Sequence, residues 1–136
     1  MRARFLLFLL PVALLVAGCG RGSTAPYTAA ATAPCLKSKG FTKVTTDPDK
    51  VGFIAGFADN GGVFAVAPGS KNTVTIAFAG DTAGARPTEQ AFRAHASAFY
   101  KKHMSDIMQS KRNAVLVWTT SPTQDQIDTA IGCLAS

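Results

Sequence analysis

The side chains able to do chemistry are few and far apart. His95 and His103 are the two imidazoles of this 136-residue chain. Eight positions apart, they would stand about 12 Å from each other along a helix, too far to share one ion. No His-x-x-x-His or Cys-x-x-Cys spacing suited to zinc is present. Asp47-Pro48-Asp49 opens like a calcium loop, but Val51 and Ala58 then occupy places where oxygen ligands belong. Helix capping accounts for these aspartates instead, and neither a metal nor a cofactor is expected. Glu89 is the one glutamate, so a paired-carboxylate hydrolase would have to draw on aspartates already marked as turn and cap residues. Gly-x-Ser-x-Gly and Ser-x-x-Lys are both absent. Two residues remain as candidate ligand contacts. His103 falls in an apolar helical arc with Asp106 at i+3, as a packing residue or as a functional group in a pocket. Trp118 ends an apolar run and is followed by Thr119 and Thr120, which suits stacking on a ligand or plain core packing.

The N-terminus has a different character. Arg2 and Arg4 precede an apolar run from Phe5 to Ala17, interrupted by Pro11. As a helix this run would be about 20 Å long, short of the roughly 30 Å hydrocarbon core of a bilayer. It therefore reads as a secretory signal and not as a spanning segment. Val16-Ala17-Gly18-Cys19 at its end resembles the lipobox of bacterial lipoprotein precursors. That resemblance implies cleavage before Cys19, a diacylglycerol on its thiol, and a lipid-anchored protein on the extracytoplasmic face of the cell membrane. Two acyl chains give a stable anchor where one gives marginal binding. It also implies that Cys35 and Cys133 are left as an even pair in an oxidising compartment, joined as a disulfide. Such a bridge closes a loop of about 100 residues, worth about 4–5 kcal/mol in the chain-entropy model. Two buried thiols, or one catalytic thiol, are the alternatives, though no histidine lies near either cysteine in sequence to activate it.

Charge narrows the partners. The chain carries 14 basic and 8 acidic residues, and loss of Arg2 and Arg4 with the leader leaves 12 basic residues, a net +4. This mild excess suits anionic head groups or acidic wall polymers. The densest basic spots, Lys101-Lys102 and Lys111-Arg112, fall late in a predicted helix or just after it, where cations complement the helix dipole. Basic residues are not interleaved with aromatics, so nucleic acid is not an expected partner.

The elements that position these residues follow from periodicity. Residues 1–18 form the leader, and 19–33 are the lipidated cysteine and a flexible tether of small residues. Residues 34–136 are a single disulfide-closed α+β domain. Pro34 and Gly40 bracket a short helix, and 41–46 is a strand. Residues 48–57 are a short helix behind Asp47, or a strand. Residues 63–67 and 73–79 make a hairpin, the second strand alternating Val74, Ile76 and Phe78 with polar or small residues. Residues 88–110 read as one long helix with Phe92, Ala96, Phe99, Tyr100, His103 and Ile107 on its inner face. Residues 114–118 form a buried strand, and Ser121-Pro122-Thr123-Gln124 caps a last helix. The expected architecture is a two-layer sandwich, with a mainly antiparallel sheet of about four strands covered by the long helix and the C-terminal helix. One parallel pair between 73–79 and 114–118 is compatible with a right-handed crossover. The Cys-Leu-x-x-x-Gly-Phe opening at Cys35–Phe41 and the Cys133-Leu134 close are similar to short lipoproteins of high-GC bacteria, a likeness that implies no activity.

Three functions stay open: a non-catalytic domain binding an envelope protein or wall component, a small-ligand or lipid-binding module with a cleft near Trp118 and Phe99, and a small hydrolase using His103.

Overall fold

The computed structural model describes residues 24–136. The expected leader, its expected cleavage point and Cys19 lie outside the described residues. Five strands form one antiparallel sheet in the order β1-β2-β3-β5-β4, with β1 Thr42–Thr45, β2 Gly62–Val66, β3 Thr73–Phe78, β4 Met108–Lys111 and β5 Ala114–Trp118. Five helices accompany them: α1 Ala29–Ser38, α2 Phe53–Gly56, α3 Thr82–His95, α4 Ala98–Ile107 and α5 Gln124–Gly132. The α+β class and the antiparallel character match the expectation from sequence. The fifth strand does not. β4 is a short segment of Met-Gln-Ser-Lys, too brief for its alternation to register, and periodicity absorbs it into the preceding helix. It pairs with β5 in a hairpin, so β5 enters the sheet antiparallel to β3. The expected parallel pair is therefore not formed. β4 runs in the direction of β3 but is separated from it by β5.

Alternation along the central strands assigns the two faces. Val63, Val74, Ile76, Phe78, Leu116 and Trp118 point to one side, into a core shared with Ala29, Ala33 and Leu36 of α1 and with Ala130 and Cys133 at α5. Ala77 and Phe64 point to the other, against Val51, Ala55 and Ile54 around α2 and Phe92 of α3. Helices thus cover both faces, and the two-layer expectation gives way to three layers. α2 lies close because β2 begins with glycine: a Cβ on Gly62 would come within 2.6 Å of both the Cβ and the carbonyl oxygen of Ala55.

α1 starts earlier than Pro34. Thr28 is its N-cap, accepting from the Ala31 N–H at 3.2 Å. The alanines that follow are the best helix formers, and Ala29, Thr32 and Ala33 are buried. The segment is also tied down from outside. Tyr27 N–H donates to the Asn113 side chain at 2.8 Å, Asn113 donates back to the Tyr27 carbonyl at 2.8 Å, and Ala29 N–H donates to the Asn60 carbonyl at 3.0 Å. Residues 27–33 therefore belong to the folded domain and not to a tether. The helix ends where expected, in a Schellman motif with Gly40 at φ +85 and bonds from Phe41 N–H to Leu36 and from Gly40 N–H to Lys37.

The long helix is in fact two. Asp81 caps α3 through its contact with the Gly84 N–H at 2.9 Å. The chain then turns extended at Ala96, and Ser97 caps α4. Apolar residues keep helical spacing across the break, so periodicity alone does not reveal it. At the far end the cap is Thr123, not Ser121. Thr123 and Gln126 form a capping box, and Gln126 also meets Asn72 and Ser70 of the β2–β3 turn, which fixes the later register.

Candidate functional site

The break between α3 and α4 leaves part of the sheet open. Cross-strand partners Thr75 and Val117 are half-buried there, whereas Ile76 and Leu116, one step along the same strands, are completely buried on the other face. Above this floor runs a chain of three depressions. The first, about 270 Å³, lies between Phe53 and Ile54 of α2 and Phe92 and His95 of α3. The central one, about 310 Å³, is walled by Phe92, Ala96, Tyr100, Met104 and Ile107. The third, about 210 Å³, passes Phe99 and His103 to reach Thr119 and Ser121. The first two share Ile54, Thr75, Phe92 and His95, and the last two share Tyr100, Ile107 and Thr119. They form one trough.

Its walls are apolar and its ends are aromatic. No Lys, Arg, Asp or Glu among the described residues lines any of the three depressions. Phe53 and Phe57 are 72% and 80% exposed, with ring centroids 5.1 Å apart, and Phe53 reaches His95 at 6.2 Å. At the opposite end Phe99 is 65% exposed and lies 5.0 Å from the His103 ring. The turn leading to α2 is held by Lys50 Nζ at 2.7 Å from Asp47 Oδ2. That hydrogen bond, with a second from the Asp49 N–H, keeps the Asp47 carboxyl below its usual range.

The two residues singled out from sequence have different fates. Trp118 borders the central depression, but its side chain alternates to the far face, is 1% exposed, and donates its indole N–H to Gln109 Oε1 at 2.8 Å. It packs in the core with its polar handle satisfied, presenting almost no surface to the central depression that it borders. His103 stands at the surface and not in an apolar core, because the new start at Ser97 rotates α4 relative to α3. Its Nδ1 is 3.9 Å from Asp106 Oδ2, beyond a hydrogen bond. Thr119, Thr120 and Ser121 share its depression, yet no hydrogen bond joins His103 to a hydroxyl among the described residues. Nucleophilic catalysis begins with such a contact. Lys111 and Arg112, expected near a helix end, instead lie at the β4–β5 turn, Arg112 over the Tyr27 ring at 4.4 Å.

Cys35 and Cys133 are joined as a disulfide, with Cα atoms 5.3 Å apart. The bridge links the end of α1 to the cap of α5 on the face away from the trough. A cleft near Trp118 and Phe99 is expected from sequence, and both residues border the trough. Its floor at Thr75 and Val117 is not singled out there, because the face changes at every residue of a strand. The three surface phenylalanines carried the better signal. No protein-family model matches the chain, and no curated protein or solved structure is significantly similar to it.

Proposed function

We propose that the protein is a lipid-anchored, extracytoplasmic binding domain without catalytic chemistry, and that its ligand is a small apolar molecule seated in the trough between α2, α3, α4 and the sheet. The observation that carries this reading is the central depression of about 310 Å³ over Thr75 and Val117, walled by apolar and aromatic side chains. Ligand sites are typically concave and mostly apolar, from about 300 Å³ upward. A wall polymer, rich in hydroxyl and charged groups, would find few partners along such walls and would be desolvated without compensation. The small-ligand reading is therefore favoured over binding of a wall component, and over hydrolysis at His103. Anchoring through Cys19 would hold the trough close to the membrane, with residues 20–26 as the remaining spacer.

Titration of the exported chain with N-phenyl-1-naphthylamine, a neutral apolar fluorophore, tests the reading. Saturable binding at one probe per chain, lost in Val117→Trp, is the expected result. Absence of saturable binding, or binding indifferent to Val117→Trp, would overturn it.

A further inference from the structure

Three phenylalanines stay in water at the two ends of the trough, Phe57 and Phe53 at one end and Phe99 at the other. Exposed apolar groups gathered around a groove mark a surface that meets another phase or partner. The nature of the trough restricts what that is. Its floor comes from β3 and β5, and both are interior strands with neighbours on each side. Their backbone N–H and C=O groups are already paired, so an extended peptide laid there would leave its own backbone unsatisfied. A hydrocarbon chain has no such requirement. The walls supply no full charge over the length of the three connected depressions, which suits a long neutral occupant. Charge appears just beyond: Lys102, three residues after Phe99, stands on the same exposed side of α4.

From this we infer that the occupant is an acyl chain of a membrane phospholipid, taken up directly from the bilayer with Phe53, Phe57 and Phe99 inserted at its surface. The phenylalanines enter the boundary between head groups and chains, where aromatic side chains are at home. Lys102 meets the phosphate of an anionic head group, and the chain slides into the trough without crossing open water. This inference rests on the trough being a ligand site.

The test uses the chain from residue 19 onward carrying Cys19→Ser, so that no anchor of its own contributes. The protein is incubated with vesicles of phosphatidylethanolamine and phosphatidylglycerol, scored for flotation, then reisolated and examined by native mass spectrometry. The wild-type sequence floats and returns with one phospholipid per chain. The triple variant Phe53→Ser, Phe57→Ser, Phe99→Ser loses vesicle binding by about tenfold or more and captures lipid slowly. Phe57→Ser alone, at a residue that lines none of the three depressions, weakens vesicle binding and still binds the naphthyl probe. Val117→Trp floats but returns empty. A wild-type protein that binds the probe and carries no phospholipid would overturn the inference and leave the ligand site standing. So would displacement of the probe by an amphipathic helical peptide or by self-association, without lipid capture. Failure to bind either probe or lipid would overturn both.

Discussion

Thr75 of β3 and Val117 of β5 face each other across the antiparallel ladder, half-covered, while the next pair, Ile76 and Leu116, is sealed on the opposite side. One sheet thus serves as core on one face and as floor of an open trough on the other. Three helices produce this asymmetry. α1 lies flat on its face through small residues, whereas α3 and α4 part at Ala96 and Ser97 above Val117.

Substitution on the two faces should separate stability from binding. Val117→Trp fills the trough and is expected to weaken binding of an apolar probe at least about tenfold while changing stability by no more than about 1 kcal/mol. Leu116→Ala leaves a cavity in the closed core and should cost about 2–5 kcal/mol. Paired chemical denaturation and probe titration read both effects.

Trp118 should behave as a structural residue. Trp118→Phe removes the indole N–H and leaves Gln109 without its partner at 2.8 Å. The expected loss is about 1–3 kcal/mol with probe affinity unchanged. A large fall in affinity at unchanged stability would return Trp118 to the site.

Much of the framework was legible from residue order. Alternation of Val74, Ile76 and Phe78 marked the hairpin strand, and the continuous run from Ala114 to Trp118 marked a central strand. Gly40 marked the end of α1 because the Schellman turn needs its positive φ. What was not legible depended on competition between similar local signals. Ser121 and Thr123 are each followed by a glutamine at the capping-box position, and contacts of Gln126 with the β2–β3 turn select the second. Apolar spacing from Phe92 to Ile107 continues through the break at Ser97, so the open seam that creates the trough left no trace in periodicity. The alanine-rich stretch before Pro34 has the composition of a linker, and the contacts of Tyr27, Thr28, Ala29 and Thr32 with distant residues make it structure.

Truncation should find that boundary. Removal of residues up to 26 is expected to leave the domain intact apart from the Arg112 contact with the Ala25 carbonyl. Removal up to 33 strips three buried residues and the N-cap and should prevent stable folding. Thr28→Ala alone should cost about 1 kcal/mol. Thermal unfolding of the series provides the check.

The disulfide should matter for stability and not for binding. Cys35 and Cys133 are 98 positions apart, and a closed loop of that size contributes about 4–5 kcal/mol in the chain-entropy model. The double variant Cys35→Ser, Cys133→Ser should unfold at markedly lower denaturant. Any molecule that remains folded should keep its probe affinity, since the bridge lies across the sheet from the trough.

The proposed anchor has a simple readout. Cys19→Ser should move the protein from the membrane fraction to the soluble extracytoplasmic fraction, and metabolic labelling with palmitate should disappear. Unchanged membrane retention with no acyl label on the wild type would contradict a lipid anchor.

The most direct measurement places the ligand itself. Methyl-labelled protein is titrated with a fatty acid carrying a nitroxide in its chain, and resonance broadening is followed. Occupancy of the trough predicts selective broadening at Val117, Ile54 and Ile107, with Leu36 and Leu116 across the sheet spared. Broadening centred on Leu36 and Leu116, or spread evenly over the protein, would contradict it.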